Sequence, residues 1–232
     1  MAARRGRGAV EVGAGQPLYV GAEAVLYLVP WGPRRALAKL RVEKKYRHPS
    51  IDMALRWRRT VTEARAIREA LEAGVAAPAV FFVDPPQYLI VLEYLAGARK
   101  LAEIIEEKGA SARVLVARLG EMAATLHEAG IAHGDMTTSN VLVHGSHLYL
   151  IDFGLADLGA DTRDMAVDLH LFLRSLESTH PEVVDTMLGA FLEGYSARAG
   201  REKADALMET VREIRLMGRY REERRTAWRE HA

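Results

Sequence analysis

The stretch Ala132–Gly154, AHGDMTTSNVLVHGSHLYLIDFG, decides the fold. It opens with a short polar loop in which Asp135 and Asn140 lie five residues apart. Two apolar runs follow, separated by the polar turn residues 144–147, and this pattern predicts a β-hairpin. The stretch ends in Asp152–Gly154, where a further carboxylate follows a strand-like run. Carboxylate and amide oxygens are ligands that Mg²⁺ prefers, so the stretch predicts a centre for phosphoryl transfer.

Length and composition predict a globular protein with one large domain or two lobes. The chain has 232 residues, of which 49% are hydrophobic and 27% charged, and its net charge is +1. It has no cysteine, which excludes a disulfide framework and a thiolate metal site. No run of about 18 apolar residues is present, and the basic residues 1–10 are not followed by the apolar region of a signal peptide. We therefore expect a cytoplasmic protein with no membrane partner.

The part of the chain before this stretch predicts a small β-rich lobe. Alternating apolar residues and turn residues predict strands, and one long segment with helical spacing predicts a helix whose cap is Ser50 or Asp52. We expect Val61, Ala64, Ile67 and Leu71 on the buried face of that helix. The predicted order is Leu18–Val20, Val25–Val29, Ala36–Arg41, the helix ending at Gly74, Ala79–Val83 and Tyr88–Leu92.

Beyond a linker at Glu93–Gly97 the pattern becomes mainly helical. The predicted helices are Leu101–Lys108, one capped by Ser111 that ends at Gly130, Met165–Leu176, Pro181–Ala197 and Ala204–Met217. We expect an α+β fold with an N-terminal segment 1–17, an N-lobe 18–95, a reduced C-lobe 96–217 and a basic tail 218–232. The cleft between the two lobes is the expected ligand site.

A nucleotide in this cleft needs a cation on a rigid strand to hold its α- and β-phosphates. Lys39 is the only lysine on a strand-like segment of the N-lobe, and we expect Glu63 to pair with it, rather than a later glutamate of the same helix. Asp135 is expected beside the attacking hydroxyl or water, and Asn140 and Asp152 are expected to bind the metal.

The order of these residues resembles the protein-kinase signature set. More specifically, five segments resemble the small atypical kinase subunit of the KEOPS complex (PRPK-type). They are GAEA at 21–24, AKLRVEKKYRHPSID at 38–52, RRTVTEAR at 58–65, HGDMTTSN at 133–140 and AVDLHLF at 166–172. The resemblance covers about residues 18–222.

The resemblance implies a two-lobed, protein-kinase-like fold that uses ATP and Mg²⁺. It implies catalytic roles for Asp135, Lys39 and Glu63, and metal binding by Asn140 and Asp152. It also implies nucleotide contacts from the turn formed by Gly21, Ala22, Glu23 and Ala24, from Lys39, and from the hinge residues Glu93, Tyr94 and Leu95.

Several departures from ordinary kinases predict that the part of the fold that would bind a protein substrate is reduced. Gly21–Ala24 replaces the glycine-rich loop, and Glu23 brings a negative charge to it. Gly134 stands where many kinases have an arginine, and Thr137 where they have a lysine. Only Leu155–Arg163 separates Asp152–Gly154 from the next predicted helix, which is too short for a peptide-docking platform. From that helix, Asp168 is expected to brace the backbone of the catalytic loop.

The resemblance implies an ATPase-like subunit with weak serine/threonine kinase activity that supports threonylcarbamoyl-adenosine modification of tRNA. The implied partners are the ASKHA-fold tRNA-modifying subunit and the other KEOPS subunits. Residues 210–232, which include the basic tail, contain seven arginines and four glutamates, and the resemblance implies that this segment contacts tRNA. The alternatives are a RIO-type ribosome-assembly kinase or ATPase, a small-molecule phosphotransferase and a non-catalytic scaffold.

Overall fold

The computed structural model describes residues 16–230, and the side chains of residues 16–217. The predicted N-terminal segment lies almost wholly outside the described residues, as do the side chains of the predicted tail. An antiparallel sheet with one helix is followed by a mainly helical part, so the α+β prediction is confirmed. None of the helices within residues 16–230 has the length and apolar character needed to cross a membrane.

The N-lobe is a five-stranded antiparallel sheet with one helix against it. Its strands are β1 Tyr19–Val20, β2 Ala24–Trp31, β3 Arg34–Arg41, β4 Val80–Asp84 and β5 Leu89–Glu93, in the spatial order β1-β2-β3-β5-β4. Strand β3 is central, and Lys39 on it pairs with Leu26 of β2 and Ile90 of β5. Because β3 is hydrogen-bonded on both sides, the Lys39 side chain projects from a rigid support.

Helix α1, Pro49–Glu72, differs from its prediction at both its start and its buried face. His48 is the N-cap and makes no capping bond, so neither Ser50 nor Asp52 caps the helix. A proline at the first helical position is favourable because its missing N–H is not needed there. Ile67 is buried as predicted, but Val61 and Ala64 are half-buried and Leu71 is exposed. The buried face consists of Asp52, Thr60, Glu63, Ala66, Ile67 and Ala70.

The C-lobe combines a small sheet with five helices. The sheet is antiparallel, in the order β6 Arg99–Lys100, β7 Val141–His144 and β8 His147–Leu150. The helices are α2 Leu101–Lys108, α3 Arg113–Glu128, α4 Thr162–Thr179, α5 Val184–Ala199 and α6 Arg201–Glu230. Ser111 lies in a 3-10 turn, Gly109–Ala112, and does not cap α3 as predicted. The backbone of α6 continues past residue 217, so no helix end marks the predicted start of the tail, and the predicted domain boundaries stay predictions.

Two glycines allow α3 and α5 to touch backbone to backbone. A Cβ atom on Gly120 would lie 2.0 Å from the Phe191 carbonyl oxygen, and one on Gly194 would lie 1.8 Å from the Ala117 carbonyl oxygen. No side chain larger than hydrogen fits at either position without moving a helix. This crossing fixes α3, whose C-terminal end leads directly into the stretch that contains Asp135.

One hydrophobic core runs through both lobes. It includes Ile67 and Ile90 of the N-lobe together with Leu126, Leu150 and other residues of the C-lobe. The backbone N–H of Leu150 also donates to the Ala76 carbonyl oxygen at 3.0 Å. The cleft therefore lies between elements that share a packed interior.

Candidate active site

Two cations and two carboxylates meet between β3, α1 and the segment after β8. The Lys39 ammonium Nζ lies 2.7 Å from Glu63 Oε1 and 2.7 Å from Asp152 Oδ1. The second Glu63 oxygen, Oε2, accepts a bond of 2.5 Å from Arg41 Nη2. Glu63 is fully buried, and Lys39 and Arg41 are each less than a tenth exposed. The structure thus brings together three residues predicted from the sequence and adds Arg41, which the sequence analysis missed.

Strand periodicity explains why Lys39 and Arg41 both reach α1. Residues two apart on a strand point to the same face of the sheet, and α1 packs on that face. The neighbouring Ala38 and Leu40 point to the opposite face, where Ala38 is buried in a separate apolar cluster and Leu40 packs against it. A basic residue two positions after the lysine, on a buried strand, was the available signal for Arg41.

The loop that contains Asp135 is fixed by the amide side chain of Asn140, which belongs to the same loop. Asn140 Nδ2 donates to the backbone oxygen of Asp135 and to its Oδ2, both at 2.9 Å. These bonds use the donor end of the amide and leave Asn140 Oδ1 as an acceptor. The backbone N–H of Ile151 donates to the Asn140 carbonyl oxygen at 3.0 Å, which ties the loop to the residue just before Asp152.

Asp168 on α4 holds the loop from below. Its fully buried carboxylate accepts bonds from the backbone N–H groups of His133, at 2.6 Å, and Gly134, at 2.7 Å. These are the bracing contacts that the sequence predicts. Asp168 Oδ2 also lies 3.2 Å from His127 Nε2, and the other nitrogen of His127 lies 3.1 Å from the Tyr195 hydroxyl. His127 and Tyr195 were missed because nothing in the sequence pairs α3 with α5 at these positions.

His133 lies beneath the loop and has no exposed surface. Its Nε2 lies 3.0 Å from the Ile151 carbonyl oxygen, and its ring lies 4.6 Å from the ring of Phe153. The Phe153 side chain is itself fully buried. These contacts hold the residues on either side of Asp152 and leave the Asp152 carboxylate facing the cleft.

Asp152 combines an unusual backbone with a carboxylate that stays charged. Its φ of 65° is in the left-handed region, which a non-glycine residue adopts at a cost, often at functional sites. Burial alone would raise the pKa of Asp152, but the Lys39 ammonium, with a smaller contribution from Arg41, holds that pKa below its usual value. The side chain is 45% exposed, and its Oδ2 makes no bond to the protein among the described residues. An ionised, accessible oxygen is therefore available to a metal at neutral pH.

The turn expected to cover the phosphates is anchored by salt bridges. Gly21 N–H donates to the Ala24 carbonyl oxygen at 2.9 Å and closes the turn. Glu23 pairs with Arg59 of α1 at 2.8 Å and with Arg47 at 3.3 Å. The negative charge that Glu23 was expected to bring to the turn is therefore compensated, and the turn is tied to α1.

Of the hinge residues, Glu93 ends β5, and Tyr94 and Leu95 directly follow it. The Glu93 carboxylate accepts a bond from the Ala79 N–H at 3.3 Å, and Glu93 N–H donates to the Ala79 carbonyl oxygen at 2.8 Å. Because the Glu93 side chain is occupied in this way, any contact with a base at this residue would be through its backbone carbonyl group. Nucleotide contacts by residues 21–24 and 93–95 stay predictions.

The segment after Gly154 is short and joined to the loop backbone. Helix α4 begins at Thr162, three residues before its predicted start at Met165. Ala132 and Asp157 exchange two backbone bonds, of 3.0 and 2.9 Å. Gly134 has a φ of +77°, and a Cβ on it would lie 2.1 Å from the Leu155 carbonyl oxygen. Gly134 is thus required by the close passage of this segment, and no arginine fits there.

The donor set suits Mg²⁺ bound together with phosphate. Asp152 Oδ2 and Asn140 Oδ1 offer hard oxygen donors of the kind that Mg²⁺ prefers, and Asp135 lies beside Asn140. Within the described part of the chain, no three or more histidine or acidic side chains cluster closely enough to hold a metal on their own. A metal here would therefore take its remaining ligands from phosphate and water, which is the usual arrangement for Mg²⁺.

A β-rich lobe, a helical lobe and a cleft containing a strand lysine, a helix glutamate and two loop carboxylates define a protein-kinase-like protein. Residues 34–195 match the model of the "Lipopolysaccharide kinase (Kdo/WaaP) family". The chain is 43% identical to "KEOPS complex subunit Bud32" of Pyrococcus abyssi, over 87% of this chain and 94% of that protein. It therefore belongs to the Kdo/WaaP family of kinases by the model and to the Bud32 family by its relatives.

Three further comparisons extend this result. The chain is 40% identical to a "Probable bifunctional tRNA threonylcarbamoyladenosine biosynthesis protein" of Methanothermobacter thermautotrophicus, over 86% of this chain and 36% of that longer protein. Among solved structures, WaaP in complex with acyl carrier protein superposes with a TM-score of 0.62 over 90% of this chain and 88% of that one, at 21% identity. The Rio2 kinase of Chaetomium thermophilum, solved with ADP, Mg²⁺ and phosphoaspartate, gives a TM-score of 0.59 at 16% identity, over 88% and 71% of the two chains. The structural likenesses show the fold alone.

Proposed function

We propose that this chain is an ATP-dependent atypical kinase or ATPase subunit that supports threonylcarbamoyl-adenosine modification of tRNA in a KEOPS-type complex. The observation that carries the proposal is the cluster of Lys39, Glu63 and Asp152 beside Asp135 and Asn140. The relatives support the biological setting, since one is a KEOPS subunit and another a tRNA threonylcarbamoyladenosine biosynthesis protein.

Each proposed role follows from the chemistry of the side chain. Mg²⁺, when bound with ATP, would neutralise charge on the phosphates. Asn140 Oδ1 and Asp152 Oδ2 would hold it, and Lys39 would bind the α- and β-phosphates. Asp135 would orient the attacking hydroxyl or water and accept its proton.

The surroundings of the site would position the nucleotide. Residues 21–24 would cover the phosphates, and the backbone of residues 93–95 would contact the base. Glu63 would keep Lys39 directed into the cleft. These contacts serve binding and orientation, which supply most of the catalysis in phosphoryl transfer.

The short segment after Gly154 supports slow phosphoryl transfer to free peptides. Between Gly154 and the first turn of α4 the chain has only LADLGAD, which contains no serine, threonine or tyrosine. The backbone of Asp157 in this segment is bonded to that of Ala132, just before the loop that contains Asp135. The segment therefore offers neither a docking platform for a peptide nor a phosphorylation switch. We propose that the acceptor is water, the chain itself or a protein presented by the complex, and that serine/threonine specificity is weak.

The proposed partners are an ASKHA-fold tRNA-modifying subunit and the other KEOPS subunits, in the cytoplasm. The basic residues of the tail would contact tRNA phosphates, where arginine can bind with two parallel hydrogen bonds. Such contacts would weaken with salt, by very roughly one log unit of affinity per log unit of salt for each phosphate contact.

The test is reconstitution with the partner subunits and tRNA, followed by mass spectrometry of the modified nucleoside. Asp152→Asn should abolish stimulation of the modification. Glu193→Gln, which alters an exposed carboxylate of α5 paired with Arg113 of α3, should behave as the wild type. Equal stimulation by Asp152→Asn and the wild type would contradict an ATP-dependent role, and absence of any stimulation by the wild type would contradict the KEOPS setting.

A further inference from the structure

The phosphate turn, residues 21–24, presents two backbone N–H groups that could bind an anion. Gly21 N–H closes the turn on the Ala24 carbonyl oxygen at 2.9 Å. The N–H groups of Ala22 and Glu23 donate to no backbone oxygen within residues 16–217. Adjacent N–H groups in a turn form a concave site for phosphate oxygens, provided that the turn keeps its shape.

The Glu23 carboxylate in this turn is divided between two arginines. Its Oε2 lies 2.8 Å from Arg59 Nη1 of α1, and its Oε1 lies 3.3 Å from Arg47 Nη2 in the segment before α1. The side chain of Glu23 is 43% exposed, so solvent reaches both ion pairs and salt weakens them. The backbone is held as well, because Val42 N–H donates to the Glu23 carbonyl oxygen at 3.2 Å. The phosphate turn is therefore attached both to α1 and to the residue that follows β3.

The beginning of α1 is a firm support for these pairs. Asp52 in its first turn is only 1% exposed, and it accepts bonds from Arg56 Nε at 2.6 Å and from Lys44 N–H at 3.3 Å. The Arg56 guanidinium in turn lies 3.9 Å from the centre of the Tyr88 ring, between β4 and β5. Arg47 also lies 3.6 Å from Asp52. The start of α1 cannot shift without breaking these contacts, so it holds the arginines in place.

The same helix holds the lysine of the cleft. Glu63 of α1 pairs with Lys39 at 2.7 Å, while Arg59, four residues earlier on α1, pairs with Glu23. Residues four apart lie on the same face of a helix, so one face of α1 contacts both the lysine and the phosphate turn. A carboxylate near bound phosphates repels them, and the charges of Arg59 and Arg47 offset that repulsion. Helix α1 thus sets the position of the phosphate turn relative to Lys39.

We propose that Glu23 is a positioning residue that holds the phosphate turn against α1, with the N–H groups of Ala22 and Glu23 on the phosphates of the bound nucleotide. This rests on the proposed function, since it requires a Mg²⁺-nucleotide in the cleft. The nucleotide leaves when the pairs of Glu23 with Arg59 and Arg47 open, so these pairs set the rate of its release. The ion pair of the cleft lysine with its glutamate stays intact throughout.

The test measures the release of fluorescently labelled ADP with Mg²⁺ by stopped flow, in a double-mutant cycle of Glu23→Gln and Arg59→Met. Glu23→Gln loses both ion pairs and should release the nucleotide about tenfold faster, whereas Arg59→Met keeps the Arg47 pair and should release it about threefold faster. In the Glu23→Gln background, Arg59→Met should change the rate less than about twofold, because Glu23 is the only carboxylate partner of Arg59 among the described side chains. Single-turnover hydrolysis at saturating Mg²⁺-ATP should stay within about twofold of the wild type, since Lys39 and the metal-binding residues keep their contacts.

Arg58→Met and Glu43→Gln are the matched controls, because both side chains are exposed and lie close to the paired residues along the chain. They should release the nucleotide as the wild type does. Slower release from Glu23→Gln would overturn the proposal, since the arginines would then bind phosphate themselves. An equal effect of Arg59→Met in both backgrounds, or a parallel loss of single-turnover hydrolysis, would overturn it and leave the proposed function intact.

Failure of the wild type to bind the labelled ADP would overturn both this proposal and the proposed function. If Glu23→Gln does not fold, the comparison of Arg59→Lys with Arg59→Met decides. Arg59→Lys keeps the charge and should release the nucleotide at close to the wild-type rate, so a rate equal to that of Arg59→Met would contradict the role of the ion pair.

Discussion

Asp168→Asn should destabilise the catalytic loop and reduce ATP turnover. Asp168 is fully buried, and its carboxylate accepts two short bonds from backbone N–H groups, at 2.6 and 2.7 Å. An asparagine keeps the shape but replaces one acceptor oxygen by an NH₂ group. One N–H, that of His133 or of Gly134, would then face another donor. The substitution therefore alters the hydrogen bonding of residue 168 and leaves its packing nearly unchanged.

The expected magnitude follows from these contacts. Losing one hydrogen bond to a charged group is worth about 1.5–3 kcal/mol, and leaving a buried donor unsatisfied costs about 1–3 kcal/mol. These two figures overlap in part, so we expect a loss of about 3 kcal/mol in the free energy of unfolding. Because the loop carries Asp135, turnover of Mg²⁺-ATP should fall at least about tenfold, since small displacements of a reacting group are costly.

The measurements are urea unfolding and steady-state phosphate release on the same protein samples. Asp205→Asn is the control: its carboxylate is exposed and 3.7 Å from Arg201, so its loss should change stability by less than about 0.5 kcal/mol. Unfolding at the wild-type midpoint together with wild-type turnover would refute the bracing role of Asp168.

Three further substitutions test the crossing of α3 and α5, the loop at Gly134 and the buried hydroxyl group of Tyr195. Gly194→Ala should lower the free energy of unfolding by about 3 kcal/mol, since its Cβ would meet the Ala117 carbonyl oxygen, and a near-neutral result in urea unfolding would contradict the close helix crossing. Gly134→Arg should abolish turnover because of its positive φ and its contact with Leu155, so an active variant would show that the segment is free to move. Burial raises the pKa of Tyr195 to about 12, so the neutral form is favoured and its stabilisation, fully present below about pH 10, is lost as the pH rises toward 12. An ultraviolet titration should therefore show one late-titrating tyrosine that Tyr195→Phe removes, and identical curves would contradict this.

The order of elements was predictable because strands, turns and helices carry local signals. The hairpin β7–β8, with its polar turn, and helix α2 have their predicted positions. The contact of Asp168 with the loop was also predictable, since the segment AVDLHLF that contains Asp168 resembles the corresponding segment of kinases. Local patterns therefore predicted the architecture, and the resemblance to kinases predicted the residues that the structure brings together at Lys39, Glu63 and Asp152.

Features that depend on contacts between distant segments were not predictable. The buried face of α1 was misplaced because it centres on a charged residue, Glu63, which a hydrophobic pattern assigns to the surface. Strand β6 has only two residues and exists through its pairing with β7, so it leaves no periodicity. Ser111 has the chemistry of a helix cap but lies in a 3-10 turn. The partners of His127 on α4 and α5 are likewise tertiary contacts.

The central claim is that the cleft around Lys39, Asp135, Asn140 and Asp152 turns over Mg²⁺-ATP. The most direct measurement is single-turnover release of phosphate from γ-labelled ATP by the purified chain, compared between the wild type and Asp152→Asn. Asp152 is half-exposed in the cleft, so the variant should keep the wild-type unfolding midpoint. We predict slow but Mg²⁺-dependent turnover by the wild type and a loss of at least about a hundredfold in Asp152→Asn. Turnover of the variant at the wild-type rate would contradict the account.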